Sequence, residues 1–317
     1  MMNNFKKIIK KNRIIYSYVK RAKNKLFGIS LQTIDKKEVD NKIKSFQRIG
    51  VRQCDGSEKV MISLTSFPAR INEVKYTIYS LLNQTYKPNK IVLWLGEDKF
   101  INKESDLPKE LLDFTQKGLS IKFVKDLRSY TKLIPALQNY GDYLIITVDD
   151  DIYYPPTLVE KLMHEHNQYP ECIVAYRVHR IGLSHNRILS YSKWEKETTD
   201  QIETPSFLNF FTGVGGVLYN IKLLHKDIFH EDVFMNLCPQ ADDVWFNAMA
   251  ALQGTRTKIV KDGNYSLCYV NPENEEVGIN TLGSYNINQD GNDQQIHAVL
   301  KYYPELMSIL KDDALIK

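Results

Sequence analysis

From residue 59 onward, short runs of aliphatic and β-branched residues alternate with segments whose apolar positions recur every three or four residues. Such alternation is the signature of a largely parallel sheet covered by helices. The first strand is expected over 60–65. A helix over 71–84 follows, with Ile71, Val74, Ile78, Leu81 and Leu82 on one face and a polar turn before Pro88 as its stop. Strands are then expected over 91–95 and 121–124, and helices over 107–117 and 130–140. Residues 143–148 read Tyr-Leu-Ile-Ile-Thr-Val, the most apolar run, and should form a central strand buried on both faces. No internal repeat interrupts this order. Ligands of open α/β sheets bind beyond the carboxyl ends of the strands, so the chemistry is expected just after residue 148.

The first 30 residues follow a different pattern. Phe5, Ile8, Ile9, Tyr16, Val19 and Leu26 fall along one helical face, and Lys and Arg fill most of the remainder. Charge sharpens the contrast. Residues 1–30 hold nine basic and no acidic residues, whereas the other 287 carry 33 basic and 38 acidic ones. The formal +4 therefore belongs to the tail, and nucleic-acid binding by the body is not expected. The tail reads as an interfacial helix on an anionic membrane surface, where each basic residue adds about 1 kcal/mol. A solvated basic arm is the alternative.

Residues 31–58 read as a polar connector. The chain divides into a basic amphipathic tail with connector over 1–45 and a catalytic domain over 46–317, whose C-terminal part holds an Asn/Gln-rich loop and a helix. The loop, over 271–297, reads as a lid. A length of 317 residues with 43% hydrophobic residues suits one large α/β domain with appendages. No run approaches the roughly 18 apolar residues that cross a bilayer. The N-terminus lacks an uninterrupted apolar core, which speaks against a cleaved secretory signal. The expected location is cytoplasmic, peripheral on the inner face of the cytoplasmic membrane. Cys54, Cys172, Cys238 and Cys268 share no short spacing and read as reduced thiols.

Asp149, Asp150 and Asp151 follow the central strand directly. Adjacent carboxylates repel one another, and partial desolvation at a strand end adds to the cost; a bound cation relieves both. Carboxylate oxygens suit Mg2+ or Mn2+, and Asp149 and Asp151 would project to the same side if the strand continued. An ion there could bridge a diphosphate and offset the charge on a nucleotide leaving group. A solvated acidic turn is the alternative.

Residues 144–151, Leu-Ile-Ile-Thr-Val-Asp-Asp-Asp, placed after three strands, resemble the DxD motif of GT-A glycosyltransferases, nearest to family 2-like bacterial proteins. Residues 62–70, Ile-Ser-Leu-Thr-Ser-Phe-Pro-Ala-Arg, and 80–85, Ser-Leu-Leu-Asn-Gln-Thr, extend the resemblance, which covers roughly 59–260. It implies an α/β, GT-A (Rossmann-like) fold: a mostly parallel sheet flanked by helices. It also implies metal-dependent, inverting transfer of a sugar from a nucleotide-sugar donor, a UDP-sugar favoured, to a surface-glycan or lipid-linked saccharide acceptor. Metal binding would fall to Asp149 and Asp151, with Mn2+ or Mg2+ as cofactor. Donor binding would fall to Thr65, Ser66, Arg70, Asp126, Lys132 and Asp150. Asp126 would read uracil or ribose, with a helix cap as its alternative. Lys132 would meet a phosphate as a point charge, with a solvated helix lysine as its alternative.

On the acceptor side, Gly213, Gly215 and Gly216 precede a small apolar strand. Glycine allows close backbone approach to a sugar, or a tight bulge before the strand. Asp242 and Asp243 open a helix carrying Trp245, Ala248 and Leu252 on its apolar side. Capping explains an acid pair there; the resemblance implies instead that the pair supplies the catalytic base, Asp243 favoured and Asp242 its neighbour. Trp245 is expected on a sugar ring or in the core. His297 could complete a metal site. Two other readings remain. A sugar nucleotidyltransferase needs a glycine-rich loop after its first strand, and 65–70 contain no glycine. A non-catalytic nucleotide-sugar or glycan-binding protein of the same fold is the other.

Overall fold

In the computed structural model, which describes residues 32–56, 58–184, 187–198, 203–261, 267–271 and 291–315, the apolar runs become one seven-stranded sheet. Its strands are β1 (Val60–Ser66), β2 (Lys90–Gly96), β3 (Leu119–Val124), β4 (Leu144–Thr147), β5 (Ile173–Ala175), β6 (Val217–Tyr219) and β7 (Thr257–Ile259). They lie in the order β7, β5, β6, β4, β1, β2, β3. Each neighbouring pair is parallel except those of β6, which runs antiparallel to both β4 and β5. The expected central strand is central: β4 is fourth of seven, and all four of its residues are buried.

Alternation along the strands divides the core into two layers. Val60, Ile62, Leu64, Ile91, Leu93 and Ile146 face one way, toward helices α2 (Val74–Leu82) and α5 (Leu158–Gln168). Met61, Val92, Trp94 and Ile145 face the other, toward α4 (Ile134–Asn139) and α7 (Asp242–Leu252). The remaining helices are α1 (Lys36–Lys44), α3 (Lys109–Asp113), α6 (Glu231–Leu237), α8 (Gly291–Tyr302) and α9 (Glu305–Leu315). Strands β1 to β3 match the expected runs to within two residues at either end. The helices depart more. The one expected over 107–117 is only α3 and a 3-10 turn, Phe114–Lys117, because Pro108 offers no N–H ahead of it and Gly118, at φ 110°, ends it. The one expected over 130–140 splits into a 3-10 turn, Arg128–Lys132, and α4, which Pro135 opens. The polar connector contains α1, capped by Asp35 and buried at Val39.

The helical pattern over 5–26 and residues 272–290 of the Asn/Gln-rich stretch lie outside the described residues. The rest of that stretch is not loop: residues 291–297 form the first two turns of α8. Among the described residues no helix is long and apolar enough to cross a membrane.

One buried serine joins the sheet to the turn that carries Lys132. Ser63 Oγ in β1 donates to the Lys132 carbonyl and accepts from Trp94 Nε1 at 2.8 Å, with Ser63 wholly inaccessible. Ser63→Ala strands both partners. We expect a loss of about 1–3 kcal/mol in urea unfolding, the cost of an unsatisfied buried polar group.

Candidate active site

The carboxyl ends of the parallel strands open onto one cleft of about 560 Å³. Because β6 is reversed, its start lies at this same edge, so the segment before it faces the residues after β4. Thr65 and Ser66 end β1, Asp126 follows β3, Asp149 to Asp151 follow β4, and Arg177 follows β5; all line the cleft. The first residues of α7, Asp242 and Asp243, close the opposite wall.

Two cations hold the acidic triplet. Arg70 Nη1 lies 2.7 Å from Asp150 Oδ1 and 2.8 Å from Asp151 Oδ2. Ser66 Oγ donates to the other oxygen of Asp150 at 2.6 Å, and Thr77 Oγ1 donates to its carbonyl at 2.9 Å. Asp150 is therefore buried and saturated. Asp149 belongs to Lys132, whose Nζ sits 2.7 Å from Asp149 Oδ1 and 3.3 Å from Asp242 Oδ2. The second contact lacks hydrogen-bond geometry, so Asp242 Oδ2 is a buried carboxylate oxygen held by charge alone. Burial alone would push the Lys132 pKa down; the charges of Asp149, Asp242 and Asp243 outweigh it and hold the ammonium well above its ordinary value. The Arg70 guanidinium is likewise raised, by Asp150 and Asp151 against burial.

Gly213 makes room for this contact. A Cβ there would stand 2.9 Å from Lys132 Nζ, and its N–H donates to Asp243 Oδ1 at 3.0 Å. Asp243 opens partly to the cleft and is otherwise enclosed by protein. Burial first, and the Asp242 charge second, push its pKa up to about 8, which Lys132 and the Gly213 N–H only partly counter. The triplet is also pinned from below: Asp149 N donates to Tyr154 Oη at 2.9 Å, and that hydroxyl donates to the Val214 carbonyl at 2.9 Å.

Carboxylates of this kind match the oxygen chemistry of Mg2+ and Mn2+, which take one or two protein carboxylates together with substrate phosphates and water. Asp149 and Asp151 are two such carboxylates on the cleft lining. Among the described residues no group of three or more His, Cys, Asp or Glu is gathered as a metal cage.

No protein-family model matches the chain, and no curated protein matches it. Solved structures do. The chain is similar to the mannosyltransferase PcManGT from Pyrobaculum calidifontis, solved with GDP-Man and Mn2+, at 10% identity and a TM-score of 0.48, over 96% of this chain and 85% of that one. It is similar to residues 1–349 of S. aureus TarS at 12% identity and a TM-score of 0.45, over 69% of this chain and 63% of that one. CMP:2-keto-3-deoxy-manno-octonic acid synthetase, solved with CTP, is also similar, at 10% identity and a TM-score of 0.39, over 64% of this chain and 89% of that one. A mostly parallel, helix-flanked sheet whose central strand delivers an acidic triplet to the cleft is the arrangement the sequence led us to expect. The fold is GT-A.

Within this fold the expected donor residues come together on the cleft lining, each with a partner already. Thr65 Oγ1 donates to the Trp94 carbonyl at 2.9 Å, and Asp126 Oδ1 accepts from Arg128 N at 2.7 Å, holding Arg128 at φ 57°. Lys132 is 6% exposed, not a solvated helix lysine, because the 3-10 turn points it inward. The acceptor expectations for Trp245, Gly215 and Gly216 and the metal expectation for His297 need correction. Trp245 is fully inaccessible: its Nε1 donates to the Ile228 carbonyl at 3.3 Å and its ring packs on Phe234 and Tyr303, so no sugar can reach it. Gly215 and Gly216 lie under the cleft, not on it. A Cβ at Gly215 would meet Arg177 Cβ at 2.6 Å, and Gly216, at φ 94°, packs on Leu158. His297 bonds the Asp293 carbonyl at an exposed position on α8, away from the cleft.

Arg177, Tyr191, Phe210, Gln240 and Asn292, none of them expected from the sequence, also line the cleft. Arg177 stands two residues beyond a parallel strand, as Asp149 does, and a strand assignment over 173–175 would have exposed it. Nothing in the spacing marks the others.

Lys132 is the residue whose loss is most damaging. Lys132→Met leaves Asp149 and Asp242 without their cation, and breaking a buried ion pair from one side costs about 3–5 kcal/mol. Urea unfolding near neutral pH should show that loss, and a change below about 1 kcal/mol would contradict the buried network.

Proposed function

We propose that the protein is a glycosyltransferase that moves a sugar from a nucleotide-sugar donor to a hydroxyl of a saccharide acceptor with inversion at the anomeric carbon. The observation that carries this reading is Asp243. It is a carboxyl at the cleft wall facing the triplet, with one oxygen fixed by the Gly213 N–H and a pKa raised to about 8. A base poised near the working pH takes a proton most effectively.

The nucleotide occupies the half lined by Thr65, Phe67, Lys99, Asp126 and Arg128, and its diphosphate meets Arg70 and Lys132. An acceptor hydroxyl between the donor sugar and Asp243 gives its proton to the free carboxylate oxygen. Its oxygen attacks the anomeric carbon from the face opposite the nucleotide. The bond from that carbon to the phosphate oxygen breaks, and the electron pair leaves with the diphosphate. Lys132, within reach of both Asp149 and Asp242, places positive charge beside the leaving group and the base together. A Mn2+ or Mg2+ ion held by Asp149 and Asp151 would add charge stabilisation to the same diphosphate. The absence of glycine from 65–70 and the presence of a base opposite the triplet both favour sugar transfer over nucleotidyl transfer.

Ligand binding gives the first test. Among UDP, GDP, CMP and ADP, each with and without Mn2+, we expect one nucleoside diphosphate to raise the melting temperature, and Mn2+ to enlarge the rise. At about 100 times Kd a ligand specific for the native state adds about 2.7 kcal/mol. No shift with any of the four would sink the donor site.

Catalysis gives the second. Since the base works deprotonated, kcat/KM should climb with pH and level off above about 8, following Asp243 in the free enzyme. Asp243→Asn should lower kcat by about 10²–10⁴-fold and abolish the climb. An unchanged profile in that variant would assign the base elsewhere.

A further inference from the structure

The far wall of the cleft is built by a helix that comes late in the chain. Asn292, in the first turn of α8, lines the cleft while only 8% of its surface is exposed. Its side-chain amide has no hydrogen-bond partner among the described residues, yet neither of its polar atoms is sealed away from solvent space. An amide without a protein partner that still opens to the cleft is free to pair with whatever occupies the cleft, water or ligand.

The neighbours of Asn292 fix where that something must lie. Asp293 Oδ1 accepts from Tyr191 N at 2.6 Å, and Gln295 Oε1 accepts from Gln240 N at 3.0 Å. Tyr191 and Gln240 both line the cleft. Tyr191 is near enough to Asp243 for that carboxylate to raise its phenol pKa, after burial, and Gln240 precedes Asp242 by two residues. Asn292 therefore stands on the cleft lining beside the segments that carry Tyr191 and Gln240, near the Asp243 end. The helix behind it is anchored: Ile296 and Val299 are buried, and Tyr303, just beyond α8, packs on Trp245 at 6.0 Å.

We propose that Asn292 is an acceptor-binding residue, whose amide pairs with a hydroxyl of the acceptor saccharide adjacent to the one that reacts. An amide donates and accepts at once, as a sugar hydroxyl does, and it carries no charge to compete with the Asp243 carboxylate. The assignment rests on the glycosyltransferase reading above and adds to it the residue that selects the acceptor.

The full chain and its Asn292→Ala and Asn292→Ser variants are compared on three readouts: melting temperature, hydrolysis of UDP-glucose, UDP-galactose, UDP-N-acetylglucosamine and GDP-mannose in water, and transfer from each to the p-nitrophenyl glycosides of glucose, galactose, mannose and N-acetylglucosamine. We expect unchanged melting and donor hydrolysis, with the KM for the accepted glycoside raised at least about tenfold in Asn292→Ala, the effect of one lost hydrogen bond, and less in Asn292→Ser. A purely structural role would instead lower melting and hydrolysis together. An unchanged acceptor KM in both variants overturns the assignment and leaves the transferase reading standing. Donor hydrolysis by the wild type with transfer to no glycoside also overturns it. Wild-type protein that neither hydrolyses nor transfers any donor overturns both.

Discussion

A single ammonium group organises this site. Lys132 Nζ touches Asp149 on one wall and Asp242 on the other, in a position almost closed to water. Without it, Asp149, Asp242 and Asp243 would crowd three negative charges into a desolvated space, and at least one would have to take up a proton. The surroundings of the lysine are arranged around that demand. A 3-10 turn carries it inward, Ser63 holds the turn's carbonyl, and glycine at 213 leaves space at the tip. The sheet supplies the rest by bringing the ends of β1 and β4 and the start of the reversed β6 to one edge.

The same network divides labour among five carboxyls of one chemical type. Asp150 is saturated by Arg70, Ser66 and Thr77, and acts as a brace. Asp149 and Asp151 are each held by a cation but remain partly open to the cleft. Asp242 is buried beside Lys132 and serves as countercharge. Asp243 alone combines partial access, a single fixed oxygen and a raised pKa. Environment, not residue type, sets the saturated brace apart from the half-open carboxyls and from the one with a raised pKa.

Much of the first half was legible in the sequence, because parallel strands announce themselves as continuous apolar runs and their carboxyl ends fix where chemistry falls. The triplet after 144–148 follows from that pattern, the acid pair at 242–243 from the helix it opens and from the family resemblance, and the structure sets both on one cleft. What the sequence hid had physical reasons. Helical periodicity over 130–140 could not tell a 3-10 turn from an α-helix, although that difference turns Lys132 from surface to core. Trp245 carries an apolar ring and a polar N–H that suit a sugar and a core equally; only the carbonyl of Ile228 decides between them. Asn292 lies in a polar stretch whose composition resembles a loop, and its place depends on contacts with residues about 50 and 100 positions earlier.

Those long-range contacts give the fold an order in time. The strands and triplet of the donor half are contiguous in the first half of the chain, so a ribosome delivers them together. The wall that faces them borrows Tyr191 and Gln240 and is fastened only when α8 arrives, by a bond that spans 102 residues from Asp293 to Tyr191. A growing chain therefore completes one wall of the cleft, the wall with the acidic triplet, well before the wall that faces it is fastened in place.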